Sequence, residues 1–590
     1  MTFADESLQQ MIPRPNTGHD DDRPFYELAE RYLDDMMRLN PFVATYLGYH
    51  KYDPLMDDMS PAGIAAKLAF YDSAQRRFER IDRDTLSTGA SIDLDLIRTD
   101  IEASLFSLRE LRPHENDPQI YNDMIGYGTL YLTILEPGSP DWPARLRALL
   151  SRMRALPTFL EAARTNLRHP SRIITEFMIE QHRGNITFFE TELPPLFEPY
   201  PDLKADLDRH LPRALEALRE YQTWLEKDLL PHSVGDWRLG REHWTRKLHL
   251  MLQSDLSPEE IESRAWDRLH AERRAMLEVA EPMHARFFPH HRHDETGEER
   301  LNIIVGEVLD EVSKNHSHPD RVFEDCRQWV GKIKAFIRER DLISLPPDSD
   351  NFVIERTPAF LDGLAVAFFN PAPAFEPHLK KSYWISSIPR AGDPVEDARR
   401  VESYLREYND YGLQNLSIHE AFPGHYVQFY YALSSPLASI YKKVFASNTF
   451  AEGWAVLCEE QMFEAGYSAD EPAALLVHKK MGLRAPINAI LDARLHTGND
   501  PEETLDRWAI DLMRRYGFQE ETEATAKLRR AKVSSAQLST YFVGFQELLD
   551  LMNDYRKEKG SAFRLKEFNE RLLSFGTIPP RAVRRLMLEA

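Results

Sequence analysis

Residues 203–230, LKADLDRHLPRALEALREYQTWLEKDLL, place Leu203, Leu207, Leu211, Leu218, Leu225 and Leu229 at the spacing of one helical face. The same period runs through 144–167 and opens the chain at 27–33. Ser257-Pro258-Glu259-Glu260 reads as a helix start: a serine N-cap, proline at the first helical position and acids in the first turn. Pro137, Pro140, Pro157, Pro170, Pro194, Pro195 and Pro199 read as turns or first-turn positions, because proline has no N–H to continue a helix. Helical patterning resumes near Val395 and continues to Leu588. The expected fold class is mainly α, a large helical body with a central cleft.

Between Asn351 and Pro389 the character changes. Phe352-Val353-Ile354, the apolar run 364–369 and Tyr383-Trp384-Ile385 are short, β-branched or aromatic, and bounded by Pro, Gly and Asn. They predict a small inserted β-sheet over about 351–389. Residues 1–24, polar and acidic with Asp20-Asp21-Asp22, are expected to form a flexible tail, and 25–590 a single helical domain.

Hydrophobic residues make up 42% of the 590 and aromatics 11%, enough for a large core and too much for wholesale disorder. The net charge of -22, from 73 Lys and Arg against 95 Asp and Glu, argues against nonspecific attraction to nucleic acid or anionic lipid. Two cysteines, Cys326 and Cys458, cannot supply a disulfide framework. No basic segment followed by an apolar stretch marks a secretory signal, and no apolar run reaches membrane-helix length. The expected location is the cytoplasm, with no membrane or nucleic-acid partner.

Residues 419–425 read His-Glu-Ala-Phe-Pro-Gly-His, and Ala451-Glu452-Gly453-Trp454 follows within one supersecondary unit. Two imidazoles can hold a borderline-soft dication, a carboxylate can close the protein shell, and Glu420 is placed to act on water. The histidines are six residues apart, 425 against 419. At about 100° per residue an ideal helix would point them to different faces. Pro423 cannot donate to the His419 carbonyl, and Gly424 tolerates unusual dihedrals, so a bulge or break at 422–424 is expected to bring His425 back. Glu452 lies 27 residues after His425, enough for a turn and a returning helix. Glu459, seven residues further on much the same face, is either a rival ligand or a partner that steadies one.

HEAFPGH with Tyr426-Val427-Gln428, and later FAEGWAVLCEE, resembles the bacterial domain-of-unknown-function family 885, whose hallmarks are HExxPGH and EGWA. Asn40–Thr45 with Leu47-Gly48, then Asp492, His496, Arg530, Gln537 and Tyr541–Gly544, are similar to weaker features of that family, so the likeness spans nearly the whole chain. Tyr426 stands where members often carry a second histidine, and Gly498-Asn499-Asp500 where they often carry a tryptophan. The family is similar to helical zinc peptidases of the gluzincin type. That resemblance implies His419, His425 and Glu452 as ligands of one Zn2+ per chain, within a core of about 411–545, and Glu420 as general base. It also implies Tyr541 and His496 as donors to a tetrahedral intermediate, with Asp492 in support.

The strand Gly363 to Pro371, with Ala367 and Phe368, either lines the cleft and pairs with an extended peptide or is an ordinary internal strand. Arg530 either meets a substrate carboxylate or, beside Arg529 and Lys532, sits on a solvated helix face. The His-rich stretch 284–297 reads as a loop in which His290, His291, His293 and Asp294 are solvated, and His316 and His318 read the same way. The leading expectation is a zinc metallopeptidase acting on short or extended peptides. A zinc hydrolase of another amide or ester and a helical scaffold without turnover remain open, since fold alone does not decide chemistry.

Overall fold

The computed structural model describes residues 22–136, 138–358, 361, 366–388 and 392–588. The fold is mainly α with one three-stranded sheet. The 203–230 pattern forms a helix, Pro201–Trp224, that continues as a π-type turn over Leu225–Leu229. Its Leu203, Leu207 and Leu218 are buried, in a core shared with Leu146, Leu149 and Leu160 of Trp142–Asn166. Pro157 was expected to mark a turn but lies inside Trp142–Asn166. Met153, Leu156 and Leu160 are buried around it, and packing outweighs the one backbone bond that proline removes.

Most of the tail assigned to 1–24 lies outside the described residues. Asp22 already begins a helix, Asp22–Leu39, three residues before the expected boundary, and its carboxylate accepts from the Ser87 amide and hydroxyl. Among the described residues no helix is long and apolar enough to cross a membrane.

The sheet falls where the sequence places it: β1 (Phe352–Arg356), β2 (Ala367–Asn370) and β3 (Lys381–Ile385). The order is β1-β3-β2, with β1 parallel and β2 antiparallel to a fully buried β3. The run 364–369 is thus a strand only from Ala367; residues 362–365, and Pro389 at the far limit, lie outside the described residues.

Eight helices position the chemistry, numbered along the chain. α1 (Pro258–Phe287) starts at the expected Ser257 N-cap, which the structure closes as a capping box with Glu260, and packs beside α2 (Gly297–Val312). α3 (Asp410–Glu420) is capped by Asn409, whose Oδ1 accepts from the Tyr411 and Gly412 amides at 3.1 Å each. α4 (His425–Ser434), α5 (Asn448–Glu464), α6 (Arg484–Thr497), α7 (Glu521–Val533) and α8 (Ser539–Lys559) complete the set. α5 and α8 touch backbone to backbone: a β-carbon on Gly453 would overlap Gly544, and one on Gly544 would overlap the Thr449 carbonyl.

Candidate metal centre

α3 ends at Glu420 and α4 begins at His425, so the six-residue spacing is resolved by a full break. The Phe422–Pro423 peptide is cis, and the Gly424 amide donates back to the Ile418 carbonyl at 3.0 Å. A β-carbon on Gly424 would overlap the His419 carbonyl oxygen, so the reversal is open only to glycine. Trp454 on α5 ties the two motifs together, its indole N–H donating to the Pro423 carbonyl at 3.0 Å.

The break turns the two imidazoles toward each other, ring centroids 4.8 Å apart and nearly perpendicular at 87°. Glu452 Oε2 stands 3.5 Å from Nε2 of both His419 and His425. Donor atoms of all three residues lie within 4.8 Å of one another. Bonds of about 2.0–2.1 Å around a tetrahedral ion would set neighbouring donors about 3.3 Å apart. Glu452 Oε2 is buried and makes no hydrogen bond, which is costly unless a cation completes it. The donor set therefore fits a divalent ion.

Glu459 is not a rival ligand. Its Oε1 accepts from His419 Nδ1 at 2.7 Å, leaving Nε2 toward the shared point, and its Oε2 accepts from Asn415 Nδ2 at 2.6 Å. Asn415 Oδ1 in turn meets His478 Nδ1 at 3.0 Å. Asn415 lies one turn before His419, a signal available in the sequence, whereas the His478 contact arises only from packing.

Burial opposes charge on His419, yet the Glu452 and Glu459 carboxylates outweigh it and hold the imidazole well above its usual range. Burial pushes Glu452 up, and the two imidazoles overcome that and hold it well below the carboxylate range. Glu420 is raised, chiefly because it is buried.

His419, Glu420 and Tyr541 open onto a cavity of about 210 Å³, walled also by Ala367, Tyr408, Arg484, Glu523, Lys527 and Arg530. The Tyr541 ring lies nearly parallel to His419 with centroids 6.3 Å apart, and its hydroxyl accepts from Arg530 Nη2 at 3.1 Å. Arg484 is already paired with Glu407. Lys527, unnoticed in the sequence although three residues before Arg530, has no hydrogen-bond or ion-pair partner among the described residues. Burial, helped by Arg530, pushes its ammonium down to about 7.

Three expected residues fall elsewhere. Phe368 packs edge-on to Trp384 at 5.3 Å and does not wall the cavity, because alternation along β2 sends it opposite to Ala367. His496 is no donor to this centre: its Nε2–H reaches the Ala531 and Ser534 carbonyls at 2.9 and 2.7 Å, tying off the end of α7. Asp492 accepts from Trp244 Nε1 and from the Ala536 and Ser539 amides, and so fixes the entry to α8, which carries Tyr541. Arg530 is half-buried at the cavity wall and does not lie on a solvated face.

Fold and donor set together define a mainly helical protein with a candidate centre of two histidines and one carboxylate at the wall of a cleft. The chain belongs to the family described as bacterial protein of unknown function, DUF885, whose profile matches residues 41–587. It is similar to a candidate lipoprotein of unknown function from Shewanella oneidensis, with 28% identity and a TM-score of 0.78 over 96% of this chain and 99% of that one. A candidate lipoprotein from Colwellia psychrerythraea shares the fold at 16% identity and a TM-score of 0.76, over 96% and 99% of the two chains. The Pyrococcus furiosus carboxypeptidase aligns at 11% identity and a TM-score of only 0.34, over 91% and 96%, a likeness too low to carry an argument. No curated protein matches the chain.

Proposed function

We propose that this chain is a zinc-dependent peptidase acting on short or extended peptides. One observation carries the reading: His419, His425 and Glu452 converge within 4.8 Å beside a buried carboxylate and a cavity. A zinc ion held by those three residues would supply Lewis acidity, acidifying water and polarising a scissile carbonyl. Glu420, raised by burial, takes a proton from the attacking water and returns it to the leaving amine. The Tyr541 hydroxyl, kept protonated by burial and by Glu452, donates to the developing oxyanion. β2 is an edge strand beside the cavity and offers its open side to an extended main chain. Cys326 and Cys458 are free and buried, in keeping with the reducing cytoplasm of our reading.

The test is elemental analysis of the purified protein followed by digestion of a peptide library. Cleavage is expected to stop with a chelator and return with added Zn2+. Full cleavage by stripped protein, or none by zinc-loaded protein, would overturn the proposal.

Arg530 and Lys527 are proposed to receive a substrate carboxylate. Because the Lys527 ammonium titrates near 7, the charged form that binds an anion is lost as pH rises. KM for peptides with a free C-terminal carboxylate is expected to rise up to about tenfold from pH 6 to 8. Lys527→Met should flatten that dependence, and amidated peptides should not show it. An unchanged KM profile in the variant would remove Lys527 from substrate binding.

A further inference from the structure

The stretch read as solvated histidines is drawn into a second cluster, remote in sequence from the first. His284 stands on the last turn of α1, His291 and His293 on the connecting loop, and Glu307 on α2. Glu307 Oε2 lies 2.7 Å from His284 Nε2, 3.3 Å from His293 Nε2 and 3.3 Å from His291 Nδ1. His284 Nε2 and His293 Nε2 are themselves 3.3 Å apart. All four donor atoms lie within 4.8 Å of one another, and none of the four residues walls the cavity.

Protons alone satisfy this arrangement poorly. Each ring nitrogen carries at most one hydrogen. If His284 and His293 both donate to Glu307, their mutual 3.3 Å contact joins two donors; if one gives up its hydrogen, a lone pair faces the carboxylate. A central dication resolves all the contacts at once. Of the six donor pairs, three stand at 3.3 Å, the spacing of about 3.3 Å that a tetrahedral zinc with bonds of 2.0–2.1 Å requires, one is shorter at 2.7 Å, and the other two lie within 4.8 Å. The cluster is closed on one side, where His284 is buried and Phe288 stacks on His291 with ring centroids 4.9 Å apart and planes at 18°, while His291 itself is half exposed at the loop surface.

We propose that His284, His291, His293 and Glu307 form a second Zn2+ site, structural in kind, that staples the loop of the α1–α2 hairpin. Four protein ligands leave no open position, unlike the three-residue centre at the cavity. The spacing is His-x6-His-x-His-x13-Glu. His284 and Glu307 come from facing helices and the other two from the turn between them, so the ion crosslinks the hairpin in the folded chain only, and its binding adds to stability.

The test titrates ZnCl2 into chelator-stripped, full-length protein and follows stoichiometry and thermal midpoint. Wild type is expected to take two equivalents. His291→Ala/His293→Ala, at loop positions whose loss leaves the helices intact, should take one. His419→Ala/His425→Ala should also take one and should still gain thermal stability from zinc. Glu307→Gln, a near-isosteric change, should weaken the same single site. Wild-type stoichiometry in the loop variant, or no zinc bound by His419→Ala/His425→Ala, would overturn the second site. Failure of the cavity centre alone would read differently: one equivalent in wild type, kept by His419→Ala/His425→Ala and lost by the loop variant.

Discussion

Glu420→Gln is expected to keep the full metal complement and to lower kcat by about 10²- to 10⁴-fold, the range ascribed to a positioned acid–base group. Glu420 is the last residue of α3, 6% exposed, and neighbours His419 in the chain. Successive helical residues diverge by about 100°, so Glu420 points into the cavity while His419 turns to Glu452. Glutamine matches the shape but does not accept a proton from water at neutral pH. Zinc content measured beside single-turnover cleavage separates the two roles. A variant that cleaves peptides at the wild-type rate would strip Glu420 of its function, and one that loses the metal would recast it as a ligand.

Gly544→Ala is expected to cost about 3 kcal/mol or more, at the upper end for forcing a methyl group into a packed interior. α8 meets α5 with no side chain between them, and the added β-carbon would overlap backbone atoms, which cannot step aside as a flexible side chain can. The same contact sets Glu452, beside Gly453, against Tyr541, one turn before Gly544. Parting the helices should therefore weaken zinc binding as well as folding. Gly331→Ala is the control. It lies within a helix, and its β-carbon meets nothing within 4 Å. That change should stabilise by up to about 1 kcal/mol. Denaturant unfolding with and without zinc checks both, and a Gly544→Ala protein as stable as wild type would refute the backbone contact.

The residues that went astray share a cause. Asp492 and His496 are four apart on α6 and so share a face, but that face turns to the segment 531–539 and away from the cavity. Ala367 and Phe368 were assigned together, although the strand period of two allows only one of them to meet the substrate. Lys527 is not legible in the sequence because its meaning lies in its surroundings, the cavity wall beside Arg530, and a lysine in a charged helix announces nothing of the kind. His291 is half exposed, as the solvated reading has it, but its contact and that of His293 with Glu307 are not legible in the sequence, because His284 and Glu307 belong to two helices whose packing brings them together.

The amino-acid order by itself determined the helical class, the place of the small sheet and the His-Glu-x4-His break. Each rests on local periods, caps and the stereochemistry of proline and glycine, which act over a few residues. Tertiary structure alone decided which face of each helix meets the cavity, that Glu459 supports His419 and does not compete with it, and that four scattered residues gather at the α1–α2 hairpin. Those outcomes depend on side chains meeting across long stretches of chain, and only the packed core sets such distances.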